Sequence, residues 1–381
     1  METLTSNDLV QLLAKVFPRL PQDRRLGILV DVPCRRHEDH SAWRQRRRLA
    51  GQWARSLKRA KRALGLEGVD TIVYAAVGSN NADLPPEATI CERIPATAAA
   101  LPRSGPAVAF ADIFAAHQLF LAPTEFSATA PLKNAARQFG FRAATMPGFT
   151  AAMIPALRLD YGEVGRRVAR LKELLDHAAA AEVLFIVDGR QEHRIRFDLR
   201  FRQAHESSGR FSQAGTAGNL PSGEAYIVPY EGEKGDKSGT CGELPVQIED
   251  EVVVFEVREN RAVAVAGSGA AARDERRHLE EEPAYGNMAE LGFGVLGDFG
   301  LQPIGELLLD EKLGFHVAFG RSDHFGGRIG AADFSSPQAV IHLDRIYIPA
   351  AQPRVALERV QLIAEGGRAV DVMMAGKYSI F

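Results

Sequence analysis

Leu313-Gly314-Phe315-His316-Val317-Ala318-Phe319-Gly320 and, past a loop, Val340-Ile341-His342-Leu343-Asp344-Arg345-Ile346-Tyr347-Ile348 are apolar runs that read as two β-strands. Alternate side chains of an extended strand share a face, so His342 and Asp344 point the same way and one ion can touch both. If the two strands lie side by side, His316 brings a second imidazole to the same point. Two imidazoles and a carboxylate suit zinc, iron, cobalt or manganese, whereas calcium and magnesium prefer oxygen ligands alone. A His-x-Asp pair on a strand is by itself more often a hydrogen-bonded pair than a ligand pair, so the reading needs further ligands.

Two carboxylates in apolar, glycine-rich surroundings offer them. Glu224 follows the turn Pro221-Ser222-Gly223, and Glu290 stands in Ala289-Glu290-Leu291-Gly292. Glutamate is seldom buried without a partner, and a turn directly before a strand is one way to aim a carboxylate inward. The plain alternative for each is a surface glutamate.

The ordered set Pro-Ser-Gly-Glu, Ala-Glu-Leu-Gly, Asp-Glu-Lys-x-Gly-x-His-x-Ala-x-Gly and His-x-Asp resembles the aminopeptidase T/aminopeptidase S family of two-metal exopeptidases, also called thermophilic metalloproteases. The match is closest from Asn219 to Tyr347 and looser from Leu121 to Asp176. The resemblance implies that Glu224, Glu290, His316, His342 and Asp344 are metal ligands, one carboxylate bridging two ions, with Glu311 a further acid beside them. Those peptidases carry a tyrosine seven residues after the histidine, where this chain has Asp323 followed by His324. The form His-x-Ala-x-Gly-x-x-x-x-Phe-Gly-Gly is similar instead to an aminopeptidase-like side branch that includes the dihydroxypyridine ring-cleaving dioxygenases. These use one ferrous ion, and the resemblance implies a facial triad of His316, His342 and Asp344.

Composition bounds the class. The chain has 381 residues, 46% apolar and 25% charged, ordinary globular usage and enough for two domains. A net charge of −2 and a pI near 6.6 give no global attraction to nucleic acid or anionic membrane. No apolar run reaches the roughly 18 residues of a spanning helix and Met1-Glu2-Thr3-Leu4-Thr5 starts no signal peptide, so a cytoplasmic protein is expected. Cys34, Cys91 and Cys241 are odd in number and widely spaced, which implies neither a disulfide framework nor a thiolate zinc site.

The first half alternates helix and strand. Leu9 to Phe17 reads as a helix and Leu26 to Pro33 as a buried strand. Trp43, Ala50, Trp53, Leu57, Ala60 and Leu64 form the stripe of a long helix whose other faces carry Arg44, Arg46, Arg47, Arg48, Arg55, Lys58, Arg59, Lys61 and Arg62. No aromatic residues interleave with these charges, so a solvated or subunit-facing surface is expected rather than a nucleic-acid site. Strands follow at Thr71–Ala76, Gln118–Pro123 and Phe141–Met146, with helices from Thr124 to Phe139 and Tyr161 to Ala180. Val77-Gly78-Ser79-Asn80 is no dinucleotide fingerprint. From Val183 onward strands dominate, with a hairpin around Arg258-Glu259-Asn260-Arg261 and a charged helix from Ala270 to Glu282. His324 stands beside the site as a ligand, a proton shuttle, a substrate contact or a plain loop histidine, while the remaining histidines lack paired ligands.

The expected architecture is an N-terminal α/β domain with a parallel sheet (1–180) and a C-terminal β-rich α+β domain carrying the metal site (181–381), with substrate bound between them. The leading expected function is a metal-dependent aminopeptidase-like hydrolase releasing N-terminal residues from peptides. It would hold two zinc, cobalt or manganese ions on Glu224, Glu290, His316, His342 and Asp344, with Glu311 as base and His324 as a further catalytic group. The alternative is an Fe(II)-dependent ring-cleaving dioxygenase acting on a hydroxylated aromatic of pyridine type. Expected partners are a small peptide or small-molecule substrate and, from the resemblance, a second copy in a homodimer, with neither nucleic acid nor membrane.

Overall fold

The computed structural model describes residues 2–381. They form two compact units, one running to Gly165 and regaining Gly209–Ser222, the other Arg166–Ser208 with Gly223–Phe381.

In the first unit, α1 (Ser6–Val16) starts on a capping box between Thr5 and Asp8, one turn earlier than its apolar pattern suggests. The chain continues through β1 (Arg25–Val32), α2 (Ser41–Ala60), β2 (Gly68–Ala75), β3 (Glu87–Ile90), β4 (Ala107–Ala109), α3 (Phe110–Ala116), β5 (Leu119–Ala122), α4 (Thr129–Phe139), β6 (Arg142–Thr145) and the single turn α5 (Ile154–Leu157). β1 pairs in parallel with β2 and β5, and β5 with β6, while β3 and β4 extend one edge antiparallel. An α/β parallel sheet is therefore present as expected. β1 is buried from Leu26 to Val32, as suits a strand covered on both faces. The α2 stripe of Trp43, Ala50, Trp53 and Leu57 is buried, but Arg46 and Arg47 of the supposed basic surface turn inward. Arg46 pairs with Glu125 and donates to the Phe149 carbonyl at 2.8 Å, and Arg47 pairs with Asp39 at 2.8 Å. Arg44, Arg48, Arg55 and Arg59 remain exposed.

Helix α6 (Tyr161–Asp176) ends four residues short of the expected Ala180. The alanine run after it joins β7 (Ala178–Val187), which is paired on both sides, so sheet pairing overrides the helical propensity of alanine. Next come β8 (Gln191–Asp198) and β9 (His205–Ser207), after which the chain returns to the first unit to add β10 (Ala217–Asn219) parallel to β6. The units thus meet in sequence at 165 and again around 209–222, rather than at one break after 180.

The remaining strands are β11 (Glu224–Ile227), β12 (Cys241–Ile248), β13 (Glu251–Arg258), β14 (Arg261–Ala266), β15 (Met288–Gly294), β16 (Phe315–Gly320), β17 (His342–Ile346), β18 (Val355–Ala364), β19 (Ala369–Met374) and β20 (Lys377–Tyr378), with α7 (Ala270–Glu281) before β15 and the short α8 (Leu307–Asp310) before β16. The β13–β14 hairpin turns on Glu259 (φ 48) and Asn260 (φ 68), the positive values that a two-residue turn between twisted strands requires. The second unit carries an eight-stranded sheet and a five-stranded sheet, β17-β16-β15-β11-β9, with antiparallel pairing throughout. Among the described residues no helix is long and apolar enough to cross a membrane.

Candidate metal centre

The five-stranded sheet brings the expected ligands together. Ala318 of β16 lies between Glu290 of β15 and Asp344 of β17, His316 faces Gly292, and His342 faces Gly320. Glu224 opens β11 opposite Gly294. Strand alternation turns Glu290, Gly292 and Gly294 to one face, where the two glycines leave room. A Cβ on Gly292 would stand 1.9 Å from His316 Nε2, and one on Gly294 2.2 Å from the Lys312 carbonyl carbon. Bare backbone at these positions lets an imidazole and the Glu311-Lys312 turn settle onto the sheet.

Glu290 is the hub. Its Oε1 lies 3.3 Å from His316 Nε2 and its Oε2 3.3 Å from His342 Nε2. Glu224 Oε2 is 3.8 Å from His316 Nε2, and Asp344 Oδ1 is 3.7 Å from His342 Nε2. Two triads of ligand atoms result, Glu224/Glu290/His316 and Glu290/His342/Asp344, each with its atoms within 4.8 Å of one another. Each imidazole is held from behind, His316 Nδ1 donating to the Gly314 carbonyl at 3.3 Å and His342 Nδ1 to that of Arg321 at 2.7 Å. Backbone anchoring of Nδ1 leaves Nε2 as the ligand atom, the usual second-layer arrangement behind a metal-bound histidine. The donor set therefore fits a divalent transition ion.

Without an ion, the acids and imidazoles must neutralise one another. Burial disfavours the charged forms, yet hydrogen bonds from His316 and His342 hold Glu290 well below the usual carboxylate range. The reciprocal contacts outweigh burial and raise His316 to about 9 and His342 well above its ordinary value.

Lys312 lies within the Asp-Glu-Lys-x-Gly-x-His motif, which assigns it no role. Its ammonium is buried, 2.5 Å from Glu224 Oε1 and in contact with Glu311. Those carboxylates overcome burial and keep it charged. Burial raises Glu311 to about 7 despite that neighbour. A lysine in a single helical turn leaves no periodic signal; the hints are its place in that motif and the pair Gly292 and Gly294, which marks a close approach over β15.

Asp323, at the position of the peptidase tyrosine, turns to Arg321 Nε at 2.5 Å and is 37% exposed. His324 packs its ring 5.2 Å from that of His342. Burial, then the neighbouring His342, lower His324 to about 4. Phe325 sits 5.5 Å from His342 and 4.8 Å from Tyr226, which stacks on His205 at 5.3 Å. The rim beside His342 is thus aromatic, another feature that sequence reading missed.

No family model matches the chain, and no curated protein sequence does. Among solved structures, 2,5-dihydroxypyridine dioxygenase from Pseudomonas putida KT2440 is similar with a TM-score of 0.60 at 15% identity, over 99% of this chain and 99% of that one. Wild-type AmpT from Thermus thermophilus is similar with a TM-score of 0.55 at 13% identity, over 98% and 99%. At such identities the likeness is one of fold, shared with both branches that the motifs indicate: the aminopeptidase and the ring-cleaving dioxygenase.

Proposed function

We propose that this protein is a single-ion metalloenzyme that opens a hydroxylated aromatic ring with dioxygen, holding ferrous iron on His316, His342 and Asp344 with Glu290 beside them. One observation carries the reading: Lys312 Nζ lies 2.5 Å from Glu224 Oε1. A second divalent ion on the Glu224 triad would sit against this fixed, buried positive charge, a repulsion that low dielectric surroundings magnify. Lys312 thus competes with a second ion for Glu224, although the same lysine stands in the Asp-Glu-Lys-x-Gly-x-His motif through which the chain resembles the two-metal peptidases.

When bound, the iron supplies open positions at which a substrate hydroxyl and dioxygen can meet. The chain's own residues do the rest. Gly314 and Arg321 carbonyls fix the two imidazoles, Lys312 balances Glu224 and Glu311, and Phe325 and Tyr226, packed edge to face, offer an aromatic corner to a ring. This order reverses the sequence-based preference for a hydrolase. With Asp323 tied to Arg321, a carboxylate stands where a peptidase would place a hydroxyl to stabilise an oxyanion.

The second reading, a two-ion aminopeptidase-like hydrolase using zinc, cobalt or manganese, is favoured by the sharing of Glu290 between both triads. Oxygen uptake with ferrous protein and hydroxylated pyridines, run beside hydrolysis of Leu and Ala dipeptides with zinc, cobalt and manganese, separates the two. Oxygen uptake coupled to loss of ring absorbance supports the dioxygenase. Robust peptide turnover without oxygen uptake overturns it.

A further inference from the structure

On the reverse face of β17 the second unit holds a cavity of about 340 Å³. Tyr285, Val340, Ile341 and Leu343 supply its apolar walls. Leu343 falls between His342 and Asp344, so strand alternation turns it away from the metal centre. Its strand partner Phe319 stacks on the Tyr285 ring at 5.6 Å, which backs that wall. The volume lies at the lower end of the range of about 300–1,000 Å³ typical of small-molecule sites, room for one ring and a short chain.

The polar lining is mostly acidic. Glu275, Glu281 and Glu282 border the cavity with Gln338 and His278, whose Nδ1 lies 3.9 Å from Glu275 Oε2, and no lysine or arginine does. Glu275 is already engaged, accepting from the Tyr285 hydroxyl at 2.6 Å and from Arg345 at 3.0 Å. Glu282 accepts from Ser335 N at 2.9 Å and Ser335 Oγ at 2.6 Å through one oxygen only. Glu281 has no hydrogen-bond or ion-pair partner among the described residues. Glu280, Glu281 and Glu282 follow one another at the C-terminal end of α7, where the helix dipole also disfavours negative charge. A cation at the cavity mouth relieves both repulsions.

We propose that this cavity binds a small organic cation, an amine carried on an apolar body. The apolar part packs on Ile341 and Leu343, and the ammonium meets Glu281 and the free oxygen of Glu282. The inference is independent of the reading of the metal centre.

Phenethylamine is a suitable probe, titrated calorimetrically against the full chain beside neutral 2-phenylethanol and anionic 3-phenylpropionate. The amine should bind saturably and roughly tenfold or more tighter than the alcohol, and the acid should not bind. Binding should slow amide exchange across His342–Ile346. Glu281→Gln, an exposed change that leaves the fold intact, should weaken the amine about five- to tenfold. Ile341→Trp should fill the cavity and abolish binding; if that variant misfolds by circular dichroism, Glu281→Gln decides alone. Equal binding of amine and alcohol, an undiminished affinity in Glu281→Gln, or no saturable amine binding at millimolar concentration would overturn the proposal.

Discussion

Lys312 Nζ lies 2.5 Å from Glu224 Oε1 and also touches Glu311, so a single buried ammonium is shared by two carboxylates of the candidate metal centre. Removing one partner of a buried ion pair leaves an uncompensated charge and costs about 3–5 kcal/mol. Lys312→Met should therefore lower stability in chelator by several kcal/mol. Excess zinc should restore much of the loss by placing a second ion where the ammonium was. Chemical denaturation with and without zinc, with ions counted per chain, checks this; an unchanged stability and count would show that Lys312 does not hold the second position.

His342 and Asp344 stand on β17, an edge strand held by its pairing with β16, so neither side chain is needed for the sheet itself. His342→Ala and Asp344→Ala should each leave a folded chain by circular dichroism. Metal affinity should fall by more than the 10–100-fold that outer partners of a metal site typically cost. Retention of tight metal by both variants would move the site elsewhere.

Gly292→Ala tests the packing beneath the imidazole. The added methyl would stand 1.9 Å from His316 Nε2 and force the ring off its place, a strain of roughly 1–3 kcal/mol. The variant should keep its fold with a lower melting temperature and bind metal more weakly than the parent. Parental metal affinity in a titration would mean that the ring sits elsewhere.

Asp31, in the first unit, accepts from Glu125 N at 2.8 Å, Phe126 N at 3.1 Å and Trp43 Nε1 at 3.1 Å. Burial nevertheless pushes its carboxyl up to about 6 from an ordinary 3.8. The folded state thus keeps a proton that the unfolded chain releases. This contribution to stability is complete below pH 3.8 and lost as pH rises towards about 6, on the order of 3 kcal/mol in all. Asp31→Asn does not titrate, so the parent's stability minus the variant's should fall between pH 4 and 6 in urea unfolding curves. A difference that stays flat or rises across that window would contradict the assignment.

Much of the site was legible because strand alternation is a strict rule. His342 and Asp344 on one face, and His316 on a neighbouring strand, followed from period-two reading, and β16 and β17 do pair. Glu224 and Glu290 came from short motifs, and the structure gathers both. Helix ends were less legible: Ala178 to Ala181 has helical propensity but pairs as strand, and β10 is only three residues long, too short to reveal that the chain re-enters the first sheet. The role of Lys312 was hidden for a different reason. Its partner Glu224 lies 88 positions away, and no local pattern marks a contact made only when two strands and a turn converge.

The most direct test of the account is an ion count on the parent chain, stripped of metal and then titrated anaerobically with ferrous iron, and separately with zinc. The account predicts saturation at one ion per chain for either metal, unchanged in Glu224→Gln. Saturation at two ions, falling to one in Glu224→Gln, would contradict it and return the site to a two-ion hydrolase.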